Sequence, residues 1–176
     1  SLTFLSISSS PITSLPEWAY EIRSLERLHL VRVNMGQGGI CDNIHHLRLL
    51  FDLRIIECGL RKFPKALSKL EWLEDLNVSG NNLEELPDCF SRFQRLRYLN
   101  LSRNPIKSFP SVLLKLESLE KVNIMTTSLR HIPEGVKDMP RLYKIQFVLP
   151  PKNKPEWLGW DGLFADEIDW ERLESS

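Results

Sequence analysis

The chain has 176 residues, 42% hydrophobic and 26% charged, and its 23 Lys/Arg are balanced by 23 Asp/Glu. Such a composition carries enough apolar mass for one packed domain and argues against a disordered tail; the missing basic excess argues against a nucleic-acid binder, and no apolar run approaches the roughly 18 residues of a membrane span. The three cysteines, Cys41, Cys58 and Cys89, are dispersed and odd in number, so no disulfide framework is implied and a cytoplasmic setting is expected.

Along the chain an apolar pattern restarts at Leu2, Leu25, Leu50, Leu73, Leu96, Leu119 and Leu142, at spacings of 23, 25, 23, 23, 23 and 23 residues. The fourth and sixth positions of the units are Leu5/Ile7, Leu28/Leu30, Leu53/Ile55, Leu76/Val78, Leu99/Leu101, Val122/Ile124 and Ile145/Phe147. This alternation predicts one short strand per unit. The ninth position holds Asn81 and Asn104, with Cys58, Ser10 and Thr127 in other units and Val33, beside Asn34, in the second. Past it, Ile12, Leu60, Leu83, Ile106 and Leu129 turn back toward the interior. A proline then stands fourteen residues after the first leucine, at Pro16, Pro64, Pro87, Pro110 and Pro133. Its fixed φ and missing N–H suit a corner outside a strand ladder. The pairs Ala19/Ile22, Leu67/Leu70, Phe90/Phe93, Leu113/Leu116 and Val136/Met139 follow at the i, i+3 spacing of a short helical turn.

A strand, a corner and a turn cannot bury their own apolar face. Neighbouring units must stack into a continuous core. The fold class expected is therefore an α/β solenoid, a right-handed coil with a concave parallel β-sheet and short helical or 3-10 turns on the convex side. The repeat region spans 1–149, as about six full units and a seventh strand, and residues 150–176 form a Trp-rich acidic tail. From Lys152 onward seven Asp/Glu face three Lys/Arg, a formal charge of −4 that leaves +4 on the remainder. Trp157, Trp160, Leu163, Phe164 and Ile168 are expected to cap the last coil, with docking elsewhere as the alternative. The second unit has two extra residues and no corner proline, so Met35 to His46 should bulge while Ile40, Ile44 and Leu47 fill the core; repeat drift and a partner-specific protrusion both explain it. The start at Ser1, directly before a repeat leucine, reads as a piece cut from a longer protein.

Residues 73–95, LEDLNVSGNNLEELPDCFSRFQR, match L-x-x-L-x-L-x-x-N/C-x-L followed by L-P-x-x-L-x-x-L. The chain thus resembles leucine-rich repeat proteins of the 23-residue intracellular type, over roughly residues 2 to 149, with likeness to Scribble-type scaffolds, plant Ras-group repeats and bacterial effectors delivered into host cells. The resemblance implies that the ninth-position side chain bonds to backbone groups of adjacent loops. It also implies a non-catalytic module, an adaptor, scaffold or recognition domain, that binds another protein on the concave sheet. The alternative is the targeting fragment of a larger enzyme or effector, such as a ubiquitin ligase or an immune receptor, with catalysis outside this chain.

No catalytic site, cofactor or small-molecule substrate is expected. His29 is expected on the open side of the sheet and His45, His46 and His131 on turns, zinc spacings are absent, and M-G-Q-G-G at residues 35–39 lacks the Lys and Ser/Thr of a phosphate loop. Sequons at Asn77 and Asn100 lie within the strand consensus and read as repeat, not as glycosylation sites. On the concave face, equivalent positions of successive strands stack at roughly 4.8 Å. The expected partner-binding set is Arg27, His29, Val31, Arg32, Asp52, Arg54, Ile56, Glu57, Asp75, Tyr98 and Arg103, a mixture of Arg, aromatic and apolar groups typical of interfaces. The bland account pairs Arg27 with Asp52 and Arg32 with Glu57 on a solvated face, with the Asn77, Asn100 and Asn123 run as a polar ladder.

Overall fold

The computed structural model describes residues 2–35, 39–125, 127–129 and 131–147, together with the backbone of 167–169. Seven strands, β1 (Phe4–Ser8), β2 (Arg27–Val31), β3 (Asp52–Ile56), β4 (Asp75–Asn77), β5 (Tyr98–Asn100), β6 (Lys121–Asn123) and β7 (Lys144–Gln146), lie in sequence order and pair in parallel. An eighth, β8 (Glu167–Asp169), adds to β7 in antiparallel sense, with Ile145 opposite Ile168. The register runs Leu28, Leu53, Leu76, Leu99, Val122, Ile145 without a slip, because a shift of one residue would turn the apolar row outward. The fold is an α/β solenoid.

Each return path carries one short helix. The first is α1 (Glu17–Tyr20); the others are 3-10 turns at Asp42–His46, Lys65–Lys69, Asp88–Arg92, Ser111–Lys115 and Glu134–Asp138. Five of the six follow a corner proline in extended conformation, where no helical N–H is lost. Each turn drives a hydrophobic residue inward: Ala19, Ile44, Leu67, Phe90, Leu113 and Val136 are buried. Phe63, Phe90 and Phe93 meet edge to face at 4.9 to 6.1 Å and knit units three and four together.

Asn81 and Asn104 are buried and join neighbouring coils. The Asn81 Oδ1 accepts from the N–H groups of Cys58 and Leu60 at 3.0 and 3.1 Å, and its Nδ2 donates to the carbonyls of Ile55 and Val78 at 2.7 and 2.9 Å. Asn104 does the same one coil on, for Leu83 N–H and the carbonyls of Val78 and Leu101. The Cys58 thiol donates to Leu30 and Ile56 carbonyls at 3.4 and 3.3 Å, and burial pushes its pKa up. The Thr127 hydroxyl reaches the Ile124 carbonyl at 2.9 Å.

In the long second unit Ile40, Ile44 and Leu47 fill the core as expected, whereas Met35, placed at the start of the expected bulge, is buried as well, and Asp42–His46 forms the same 3-10 turn as other units. At Gly39 a Cβ would sit 2.3 Å from the Met35 carbonyl oxygen, so only glycine fits there. The tip, Gly36 to Gly38, lies outside the described residues, as do Trp157, Trp160, Leu163, Phe164 and the side chain of Ile168. Among the described residues the three cysteines are free thiols and no helix is long and apolar enough to cross a membrane.

Leu99, 2% exposed, stands within the fourth-position core column. Leu99→Ala is expected to lose about 2 to 5 kcal/mol of unfolding free energy, measured by urea titration. A loss well below that would mean that the column does not hold the coils together.

Candidate functional site

Strand alternation points the third and fifth positions of every unit away from the core, and the pairing register sets them side by side. The third-position row is Phe4, Arg27, Asp52, Asp75, Tyr98, Lys121, Lys144; the fifth is Ser6, His29, Arg54, Asn77, Asn100, Asn123, Gln146. Arg27, His29, Asp52, Arg54, Asp75 and Tyr98 therefore share one face.

Charge pairing on that face differs from the simple cross-strand expectation. Asp52 bonds to His29 Nε2 at 3.0 Å and to Arg54 Nε at 3.2 Å, and is itself only 6% exposed. Arg27 instead places its guanidinium over the Phe4 ring, 5.2 Å from the centroid, while Phe4 meets His29 edge-on. The fifth-position groups of β2 and β3 reach across to Asp52, so Arg27 is left to the aromatic ring. The Asp75 carboxylate makes no hydrogen bond or ion pair among the described residues, although the backbone N–H of Asp75 donates to the Phe51 carbonyl at 2.9 Å. Burial first, and then the neighbouring Asp52 charge, raise its pKa above the ordinary 3.8, against the pull of Arg54 and His29.

Position eight is the larger departure. Arg32, Glu57 and Arg103 have φ of 53, 55 and 55°, Ser9 has 48°, and Gly80 has 68°. The first five coils leave their strands through these left-handed residues, so the side chains do not continue the alternating columns. Glu57 consequently pairs with Arg103, two coils away, and not with Arg32. The pair passes over Gly80, where a Cβ would come within 2.7 Å of Glu57 Cγ and 2.9 Å of an Arg103 nitrogen. Val31 and Ile56, read as exposed, are half-buried at the strand ends.

Farther along, each of Asn77, Asn100 and Asn123 accepts through Oδ1 from the N–H two residues on, at 3.0 Å, which leaves the Nδ2 donors for the groove. These amides, with Arg54, Asp75, Tyr98 and Lys121, line a shallow hollow of about 380 Å³. Lys121 lies between the Tyr98 and Tyr143 rings at 5.4 and 5.1 Å, and the Tyr143 hydroxyl holds its pKa up despite some burial. Beside it, Arg97 grips Glu120 through two bonds of 2.8 and 3.2 Å; this hydrogen bonding raises the arginine pKa and lowers that of the carboxylate. Neither Lys121 nor the Arg97–Glu120 pair stood in the expected set, although Lys121 was legible in the third-position row. Among the described residues no group of three His, Cys, Asp or Glu side chains could hold a metal ion.

Residues 61–106 match the leucine rich repeat family model, and the coil geometry carries the same pattern outward on both sides. That segment carries leucine-rich repeats. Similar solved structures are a leucine-rich repeat protein of Leptospira interrogans, at 24% identity over 85% of this chain and 45% of that one, TM-score 0.63; InlP of Listeria monocytogenes, at 22% over 83% and 39%, TM-score 0.67; and the plant peptide hormone receptor RGFR1 in complex with RGF2, at 21% over 82% and 24%, TM-score 0.61. These identities establish the shared fold alone, and the chain spans less than half the length of each. No curated protein matches it. The leucine-rich repeat fold is known as a protein–protein interaction scaffold, generally without catalysis of its own.

Because the folded protein holds the Asp75 carboxyl above its ordinary value, ionising it costs more folded than unfolded. That penalty is absent where both states are protonated and complete once pH exceeds the folded value. Asp75→Asn is therefore expected to raise stability at neutral pH, with the gain vanishing as pH falls through the carboxylate range. Urea titrations across that range measure it, and a gain unchanged in acid would contradict the burial argument.

Proposed function

We propose that this chain is a recognition module that binds another protein on its concave sheet and performs no chemistry itself. The observation that carries the reading is Asp75, a part-buried carboxylate without an ion-pair partner, set between Arg54 and Tyr98 in the open groove. A basic side chain of the partner would neutralise it. The outward Asn amides and the aromatic-flanked Lys121 supply donors for acceptors on the same partner, and Tyr98 supplies the aromatic contact that interfaces concentrate. Arg32, Glu57 and Arg103 border the groove as its rim.

A second reading makes the chain the targeting part of a larger enzyme or effector, favoured by its spanning 24 to 45% of the similar structures. Its concave face would do the same work there. The cytoplasmic setting is likewise a proposal, resting on three unpaired cysteines, of which Cys58 lies in the core.

A photo-crosslinking amino acid at Tyr98 is expected to capture a discrete protein from cells, whereas one at the convex Lys115 is not, and Asp75→Asn should weaken the Tyr98 capture without lowering the melting temperature. Capture only from Lys115, or capture indifferent to Asp75→Asn, would remove the concave sheet as the binding face.

A further inference from the structure

Between each short helix and the next strand the chain crosses the flank of the coil, and on this flank three of the six strongly exposed large apolar side chains of the described residues gather: Leu49, Phe51 and Trp72, at 55, 38 and 50% exposure. Leu49 and Trp72 occupy the same register position, directly before the first leucines Leu50 and Leu73, so the coil spacing sets them as neighbours. Single exposed hydrophobics need no explanation, but a contiguous group on adjacent turns does. The guanidinium of Arg95, next in that register row, lies 3.6 Å from the Trp72 ring centroid.

Trp72 forms the wall between two hollows. The smaller, about 320 Å³, is floored by Leu49 and Phe51; the larger, about 1000 Å³, continues over the ends of three helical turns. Four cations, Arg48, Lys69, Arg92 and Arg95, surround them against Glu71 and Glu74. Lys69 already meets Asp42 at 3.4 Å and Glu74 faces Arg97 at 3.9 Å. Arg48 and Arg92 have no ion-pair partner among the described residues, and Arg95, stacked by its face, keeps its edge donors free for a planar acceptor.

We propose that this flank docks an acidic peptide segment of a partner protein, with one apolar side chain seated on Leu49, Phe51 and Trp72 and its carboxylates held by Arg48, Arg92 and Arg95. The excess of unpaired cations selects an acidic ligand, and the apolar floor requires that the ligand carry a hydrophobic anchor. A nucleic acid fits less well. Arg95 occupies the ring face on which a base would stack, and Glu71 and Glu74 would oppose phosphates. The site is separate from the concave groove and does not depend on it.

The test is fluorescence polarisation of the full chain with three sets of labelled synthetic peptides and a single-stranded oligonucleotide. The sets are Asp/Glu-rich peptides with a central Leu or Phe, the same peptides with Gly at the centre, and Lys/Arg-rich counterparts. The acidic, apolar-centred set is expected to bind, and Trp72→Ala or Arg48→Glu with Arg95→Glu to weaken it by about tenfold or more. Arg54→Glu in the concave groove should leave it unchanged. If Trp72→Ala fails to fold, Arg48→Glu with Arg92→Glu, both exposed, replaces it. Absence of binding by the acidic apolar set, equal binding by the Gly-centred set, tighter binding by the oligonucleotide, or loss of binding only in Arg54→Glu would overturn the proposal.

Discussion

Every coil of this protein depends on the next for the hydrogen bonds of its own turns. A strand of three to five residues followed by a left-handed step cannot close its loop with internal bonds, so its N–H and carbonyl groups are turned inward where water does not reach. Asn81 and Asn104 answer this by offering an acceptor to one coil and donors to carbonyls of that coil and their own. A buried amide with all its capacity used stabilises, whereas the same site left half-paired would cost about 1 to 3 kcal/mol for each stranded group. Cys58 and Thr127 satisfy fewer groups, and Val33 none by its side chain, which leaves the apolar column to carry those coils.

The functional geometry follows from that dependence. Since the coils are locked at the strand spacing, side chains far apart in sequence become fixed neighbours, and the third and fifth positions build a surface whose chemistry changes from coil to coil. At the start it is aromatic and basic, with Phe4, Arg27 and His29; at β3 and β4 it is acidic, with Asp52 neutralised and Asp75 not; beyond Tyr98 it becomes rich in donors. Such a gradient suits an elongated protein partner better than a small ligand. The flank obeys the same rule, for Leu49, Trp72 and Arg95 meet only because one register position repeats.

Much of this was legible in the residues. The leucine rows, the corner prolines, the helical pairs and the ninth-position asparagines each predict an element that is present, because each arises from burial or a fixed φ that recurs every coil. The left-handed step was not legible, since Gly80 alone announces it while Ser9, Arg32, Glu57 and Arg103 conceal it behind side chains that ordinarily avoid that conformation. Missing it misplaced the Glu57 partner. The Asp52 contacts escaped for another reason: a strand seen as columns suggests pairing straight across, yet Arg54 reaches Asp52 from two residues along the same strand and His29 from a diagonal. The strand at Glu167–Asp169 carries too few apolar residues to mark itself.

Native-state hydrogen exchange of the Cys58, Leu60 and Leu83 amides, in the parent protein and in Asn81→Ala, addresses the coil-to-coil dependence most directly. These N–H groups lie in irregular backbone and bond to asparagine side chains. Protection close to that of global unfolding is expected for all three in the parent, and in Asn81→Ala a collapse of protection at Cys58 and Leu60 larger than at Leu83. Rapid exchange at these amides in the parent, or unchanged protection at Cys58 and Leu60 in Asn81→Ala, would contradict that dependence.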